Sequence, residues 1–396
     1  MMLKPFTLPK LSALVAAATL SLAAHAGGTF VPVYSFPAPT NTSATSPGSW
    51  PAWDLTLEPS TGLLVGVTPN GGAGGGGALY TVTTGGAVTT LRSFGTSGDA
   101  QGSRPNGPVL ATGSAYYGVT QSGGANGKGV LFKWSSASGY QVLYHFGTGT
   151  DSASPSGPLL LASNGIVYGS ATAGGACGLG TVFQFPLSSP GSVTTTHSFC
   201  GAEGSGPMTG VIQASDGKLY GTAYNGGDNA GGTLFSIDPA SNSFARLYSF
   251  GSATTDPRFP ARLIQARDGL LYGTSYRGGN ASDTGTIFSS TLAGAVTVRT
   301  VMPSNPSPWS ALNERFIGVF YANSWGSDAG RLYQFRSSNN SLSTIYQYAF
   351  GGPSWPKAGL TVGADGNLWS VTTDGESTWS GYYGTIFKIQ FLTANP

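Results

Sequence analysis

Tryptophan is the residue type whose placement along this chain first suggests chemistry. Seven of the eight tryptophans fall either near the start of the chain or in its last quarter, and only Trp134 does not. An indole ring offers rigid apolar area with one hydrogen-bond donor, which suits the flat, weakly charged face of a sugar ring. We predict an aromatic platform for a glycan or another weakly charged ligand. Its residues would be Trp50, Trp309, Trp325, Trp355 and Trp379. The alternative is that these rings only pack between structural units.

Ionisable side chains in the same stretches support a second hypothesis, an enzyme. A glycosidase needs two carboxyl groups about 5–9 Å apart across a bound sugar, and spacing in sequence does not give that separation. The weak candidates for a polysaccharide lyase or glycosidase are Asp54, Glu314, Asp374, Glu376, Tyr382, Tyr383 and Arg331. A third hypothesis is a structural array that binds no small ligand. The sequence leaves all three open.

Other reactive patterns are weak. No nucleophile-elbow motif marks a catalytic serine. His197 and Cys200 are three positions apart, so on one strand their side chains point to opposite faces and do not favour a metal site. The glycine-rich stretch 71–77 is predicted to run from strand to strand, without the helix that a phosphate cradle requires. We therefore predict no metal and no cofactor, although the Asx-rich loop 225–229 leaves calcium open.

A tandem repeat must position these residues. Residues 216–237 read DGKLYGTAYNGGDNAGGTLFSI, and residues 268–289 repeat the pattern as DGLLYGTSYRGGNASDTGTIFS. Seven such units are recognisable, and the first apolar segment of each closes at residues 66, 118, 169, 221, 273, 318 and 370. Each unit divides into four short apolar-aromatic segments, and Asp-Gly marks a hairpin turn. No segment has helical periodicity, so the chain is predicted to be all-β.

Four short antiparallel strands in about 50 residues are typical of one propeller blade. Seven units predict a seven-bladed β-propeller. The last unit has no fourth strand of its own, but residues 29–36, TFVPVYSF, match the fourth-strand sequence FARLYSF. We predict that residues 29–36 pair with residues 384–391 and close the ring. The loops that hold the predicted platform residues would then open on one face.

The pattern DG-x-LYG-T…GG…G-T-x-F resembles the GloVer-type tandem repeat of exported bacterial proteins known as choice-of-anchor proteins. The resemblance covers about residues 30–392 and is strongest in units two to five. It implies a propeller and export, and it brings no established reaction or catalytic residues. Residues 391–396 show no sorting segment, so we expect a protein without an anchor.

The first 26 residues read as a signal peptide. Lys4 and Lys10 precede the apolar run 11–24, and Ala24-His25-Ala26 fits a cleavage site. Residues 27–396 are then predicted to form a single propeller domain, secreted or periplasmic. Without Lys4 and Lys10 the chain has 16 basic and 16 acidic residues, a balance that predicts no nucleic-acid partner. We expect a monomer without a membrane span.

The two cysteines are predicted to form a disulfide. Cys177 precedes the third strand of unit three, and Cys200 ends the fourth. These strands would form one hairpin, with the two residues about 5 Å apart. An oxidising compartment favours the bond.

Overall fold

The computed structural model describes residues 28–113, 115–303, 310–326, 328–350, 352–373 and 383–391. These residues form seven antiparallel sheets arranged as the blades of a β-propeller, as predicted. They contain a single 3-10 turn, Gly201–Glu203, and no α-helix. Within the same ranges no helix could cross a bilayer.

The blades follow one another along the chain, and the strands are numbered in chain order. Blades one and two contain β2 Thr56–Leu57, β3 Leu64–Thr68, β4 Ala78–Val82, β5 Val88–Ser93, β6 Ser103–Pro105, β7 Leu110–Ala111, β8 Tyr116–Ser122, β9 Val130–Ser135 and β10 Gly139–His145. Blades three and four contain β11 Ser152–Leu161, β12 Ile166–Gly174, β13 Thr181–Pro186, β14 Thr194–Ser198, β15 Val211–Gln213, β16 Leu219–Ala223, β17 Thr233–Asp238 and β18 Ser243–Ser249.

The remaining blades keep the same order. Blades five and six contain β19 Arg258–Gln265, β20 Leu271–Arg277, β21 Thr286–Ser290, β22 Val296–Val301, β23 Asn313–Phe316, β24 Val319–Ser324, β25 Arg331–Arg336 and β26 Ser341–Gln347. Blade seven contains β27 Thr361–Val362, β28 Leu368–Thr372, β29 Thr385–Gln390 and, from the start of the chain, β1 Thr29–Ser35. First strands of neighbouring blades contact one another, so they surround the central axis.

The ring closes as predicted, by the N-terminal strand. β1 pairs antiparallel with β29, from Thr29 opposite Gln390 to Ser35 opposite Thr385. Pro32, which has no N–H to donate, lies on this outermost strand, where proline is tolerated. The last blade is thus built from both ends of the described chain.

The repeat register predicted for unit six is wrong by four residues. Gly318, predicted to close the first apolar segment, lies in the β23–β24 hairpin with φ +70°. Ala322 occupies the closing position instead, directly opposite Tyr333 of β25. The error arose because unit six has alanine where units one to five have a glycine. That glycine lies under the ring of a third-strand aromatic: a Cβ on Gly221 would come within 2.5 Å of Phe235.

Apolar packing lies between the blades. Buried residues form seven clusters among the described residues, and each cluster joins two neighbouring blades. Trp369 is fully buried between blades seven and one, and its indole N–H donates to Asp365 at 2.8 Å. Burial of this kind is the main stabilising contribution in a sheet protein with few charges.

The Asp of the repeat motif organises its hairpin. Asp216 accepts the Lys218 N–H at 3.1 Å and the Tyr220 hydroxyl at 2.8 Å. Asp268 makes the same two bonds to Leu270 and Tyr272. The spacing D-G-x-x-Y therefore links the turn to the buried tyrosine of the second strand.

The predicted disulfide is confirmed. Cys177 and Cys200 are bonded, with Cα atoms 5.5 Å apart. The bond fastens the loop before β13 to the end of β14, which is the hairpin expected from the sequence.

Candidate functional site

Two kinds of loop lie on the same face of the ring: those that join the fourth strand of one blade to the first strand of the next, and those that join the second and third strands within a blade. We call this face the loop face. In blades one to five and in blade seven a proline precedes or lies within the first strand, and the residue before it has a left-handed backbone. We call that residue the turn position. Its occupants are Trp50 (φ 57°), Arg104 (59°), Ser154 (53°), Gly206 (63°), Phe259 (57°) and Trp355 (53°).

Each turn position is fastened to the preceding blade. The Trp50 N–H donates to the Tyr383 carbonyl at 2.7 Å, and the Phe259 N–H to the Gly231 carbonyl at 2.7 Å. The same bond is made from Arg104 to Gly76, Ser154 to Lys128, Gly206 to Leu179 and Trp355 to Ala329, at 2.8–2.9 Å. A glycine follows each acceptor, and its missing side chain leaves room for the proline. A Cβ on Gly232 would come within 2.6 Å of Pro260 Cδ.

The left-handed backbone makes the side chains at these positions informative. A non-glycine residue with this φ costs about 1–2 kcal/mol, and glycine does not. Blade four has glycine here, so the fold needs no side chain at this position. The turn itself therefore does not require the large aromatic residues found in blades five, seven and one.

A second residue of each blade lies directly across the hairpin from the turn position, at the end of the second strand. We call this the opposite position, and in blades four, five and six it is aromatic: Tyr224, Tyr276 and Trp325. The Tyr224 N–H donates to the Gly206 carbonyl at 3.2 Å, which shows the pairing. Together the aromatic residues at the two positions form an arc over blades four to seven and one. We name this set the aromatic arc: Trp50, Tyr224, Phe259, Tyr276, Trp325 and Trp355.

All three described tryptophans of the predicted platform lie in the aromatic arc and are partly exposed. Their indole N–H groups are buried, without a hydrogen-bond partner among the described residues. Trp50 lies 6.1 Å from the Tyr383 ring, and Lys357 Nζ lies 4.7 Å above the Trp325 ring. Trp309 and Trp379 lie outside the described residues.

Other aromatic residues extend this surface. The Phe259 ring stacks on Tyr224 with centroids 5.2 Å apart, joining blades four and five. Phe350 is 62% exposed and meets the Trp355 ring edge-on at 6.2 Å. Sequence reasoning missed Tyr224, Phe259, Tyr276 and Phe350, because it followed tryptophan alone. The Xaa-Pro dipeptide at each turn position would have identified Phe259.

The described candidates for catalytic residues do not form one group, because each has different partners. Glu314 lies in β23 near the hairpin on the opposite face, where it accepts N–H groups from Gly318 at 2.8 Å and Arg267 at 2.9 Å. Asp54 accepts the Gly359 N–H at 2.6 Å. Arg331 pairs with Asp328 at 2.8 Å. Asp374, Glu376 and Tyr382 lie outside the described residues, and Tyr383 supplies its carbonyl to Trp50.

Asp54 also forms an ion pair with Arg262. Asp54 belongs to blade one and Arg262 to the first strand of blade five, and no described cluster joins these two blades directly. The Arg262 side chain therefore crosses the central opening. Both side chains are largely buried, 14% and 18% exposed. The pair connects two of the blades that carry the aromatic arc.

The described residues contain no group of three or more His, Cys, Asp or Glu side chains that could hold a metal ion. His197 stacks on Phe244 at 3.8 Å and contacts Glu203 at 3.3 Å. Burial lowers the pKa of His197, and the Glu203 charge opposes that shift. This histidine is packed beside the disulfide, away from the aromatic arc.

Three solved structures share the fold at low identity. The extracellular domain of a B. thetaiotaomicron protein described as a hybrid two component system has TM-score 0.58 and 12% identity, covering 91% of this chain and 39% of that chain. This chain thus spans about two fifths of the length of that extracellular domain. An oligogalacturonate lyase in complex with manganese has TM-score 0.58 and 12% identity, covering 93% of this chain and 99% of the lyase. A fungal alcohol oxidase of the AA5 family, in complex with copper, has TM-score 0.59 and 14% identity; the match covers 92% of this chain and 76% of the oxidase.

These similarities concern the fold alone, since different chemistries share the propeller. No curated protein matches the sequence. Residues 51–288, more than half of the chain, match the family described as the Gloeobacter/Verrucomicrobia repeat. The chain belongs to the Gloeobacter/Verrucomicrobia repeat family.

Proposed function

We propose that this protein is an exported propeller that binds an extracellular polysaccharide along the aromatic arc. The observation that carries the proposal is the left-handed turn position. Three of its six described occupants are large aromatic residues, at a backbone conformation that glycine adopts without strain.

The chemistry of the arc supports a sugar ligand. The described rings are partly exposed and succeed one another over blades four to seven and one. Indole and phenol rings stack on the apolar faces of sugar rings, and the partly exposed faces of these rings supply that contact. An arc that extends over several blades suits a chain of sugar units better than a single one.

Export is part of the proposal. The Cys177–Cys200 bond is of the kind that persists in oxidising compartments. Residues 1–26 have the pattern of a signal peptide. N-terminal sequencing of protein recovered outside the cytoplasm should begin at Gly27, and a start at Met1 or Met2 would contradict cleavage.

Binding can be tested by affinity electrophoresis through gels that contain neutral or acidic polysaccharides. Wild-type protein should be retarded by at least one polysaccharide. Trp355→Ala should lose about 1–3 kcal/mol of binding, the usual contribution of an aromatic hot spot, with little change in melting temperature. Trp134→Ala is the matched control, since Trp134 is also partly exposed but stacks on Tyr116 within blade two. Equal retardation of both variants would overturn the proposal.

A further inference from the structure

The aromatic arc contains a distinct group of residues at the junction of blades four and five, which we call the blade-five subsite. It consists of Tyr224, Phe259, Tyr276 and Arg277, supported by Arg258 and Asp283. The stacked Tyr224 and Phe259 rings form one side, with centroids 5.2 Å apart. Arg258 and Arg277 are directly opposite each other on β19 and β20, beside Phe259 and Tyr276.

The polar groups of the subsite lie close together. The Arg277 guanidinium lies 5.2 Å from the centre of the Tyr276 ring. Burial raises the pKa of the Tyr224 hydroxyl; Tyr276 adds to the shift, and the Arg277 charge opposes it. The pairs Arg258–Arg277 and Pro260–Ser275 flank Phe259 and Tyr276 on the two strands, so Tyr276 and Arg277 lie beside the ring that stacks on Tyr224.

Charge is unbalanced at the subsite. Asp283 is shared by two arginines: Arg258 contacts it at 2.5 Å and Arg277 at 3.5 Å. It also accepts the Gly278 N–H at 2.6 Å. Two cations therefore face one anion, and the longer contact is the one to Arg277, whose side chain is 41% exposed. Asp283 holds Arg277 in place without neutralising both arginines.

We infer that the blade-five subsite binds an acidic sugar unit, a uronate, with the sugar ring against Phe259 and the carboxylate on Arg277. The inference rests on the proposed function and specifies its substrate class. A guanidinium presents paired N–H donors that match a carboxylate, and hydrogen bonds between charged groups are about twice as strong as neutral ones.

The test compares two hexasaccharides by calorimetric titration, an oligogalacturonate and its methyl ester. The carboxyl groups are charged in the acid, whereas in the ester each is neutral and carries a methyl group. Wild-type protein should bind the acid about tenfold more tightly, a ratio that shrinks as salt screens the pair. Arg277→Gln should bring the two affinities within about twofold of each other. Arg277→Lys, which keeps the charge, should keep part of the preference.

Arg299→Gln is the control, since Arg299 lies on the outer strand of the same blade and bonds to Ser289 at 2.7 Å. Equal binding of acid and ester by wild-type protein, still weakened by Trp355→Ala, would overturn the acidic subsite and leave the proposed function standing. Absence of binding to either hexasaccharide and to every polysaccharide in the gels would overturn both.

Discussion

The loop face has two regions built on the same backbone. The aromatic arc covers blades four to seven and one, whereas blades two and three have a polar arc at the same positions, made of Arg104, Gln121, Ser154 and Thr172. Trp355 and Ser154 have the same φ of 53°, and both donate to the preceding blade at 2.8–2.9 Å. The backbone is constant and the side chains differ. The framework therefore accounts for the turn but not for the aromatic residues.

The largest expected effect concerns that shared framework. Gly129 and Gly232, one from each region, have φ +100° and +94°, and a Cβ would lie 2.0 Å and 2.6 Å from a backbone carbonyl oxygen. Replacing either glycine with alanine should cost about 3–4 kcal/mol of unfolding free energy, combining clash and backbone strain. Gly217→Ala should cost only about 1 kcal/mol, because φ is +82° there but nothing lies within 4 Å. Chemical denaturation measures all three, and a loss at Gly129 or Gly232 no larger than at Gly217 would contradict the shared framework.

The next effect concerns the ion pair that crosses the central opening. Arg262→Ala leaves Asp54 buried without its partner and should cost about 3 kcal/mol of unfolding free energy. The control is Arg246→Ala, because Arg246 pairs with Asp228, which is 56% exposed, and such pairs contribute less than about 1 kcal/mol. Urea unfolding compares the two variants. A loss at Arg262 no larger than at Arg246 would contradict a buried connection across the ring.

The smallest effect separates backbone strain from side-chain function at Trp355. Both Trp355→Ala and Trp355→Gly remove the ring, so both should lose the same binding to a retained polysaccharide. The glycine variant should be more stable than the alanine variant by about 0.5–1 kcal/mol, because φ 53° suits glycine. Melting and binding measurements on both variants separate the effect of backbone strain from the loss of the ring. Greater stability of the alanine variant would show that the turn is not strained in solution.

Much of the fold could be predicted from the sequence because its determinants are local and repeated. Asp216 and Tyr220 lie four residues apart in one hairpin, and the repeat shows them again as Asp268 and Tyr272. The closing strand was predictable because its sequence matches the other fourth strands. Unit six failed where the pattern weakens, since Ala322 replaces the glycine that marks the register.

The site was predictable only in part, because its contacts join distant segments. Asp54 and Arg262 are separated by 208 residues, and only the closed ring brings them together. Tyr224 and Phe259 stack across two blades, a contact that no spacing within one unit reveals. The left-handed φ shared by Trp50, Phe259 and Trp355 belongs to the backbone, and the proline that follows each is its only trace in the sequence.

The most direct test follows the indole N–H signals by heteronuclear NMR during titration with a polysaccharide fragment that the protein binds. Trp50, Trp325 and Trp355 have buried N–H groups without a partner among the described residues, whereas the Trp369 N–H is bonded to Asp365. The account predicts that the signals of these three residues shift with ligand concentration while those of Trp369 and Trp134 stay in place. Saturating ligand that shifts none of the three, or shifts Trp134 instead, would contradict binding along the aromatic arc.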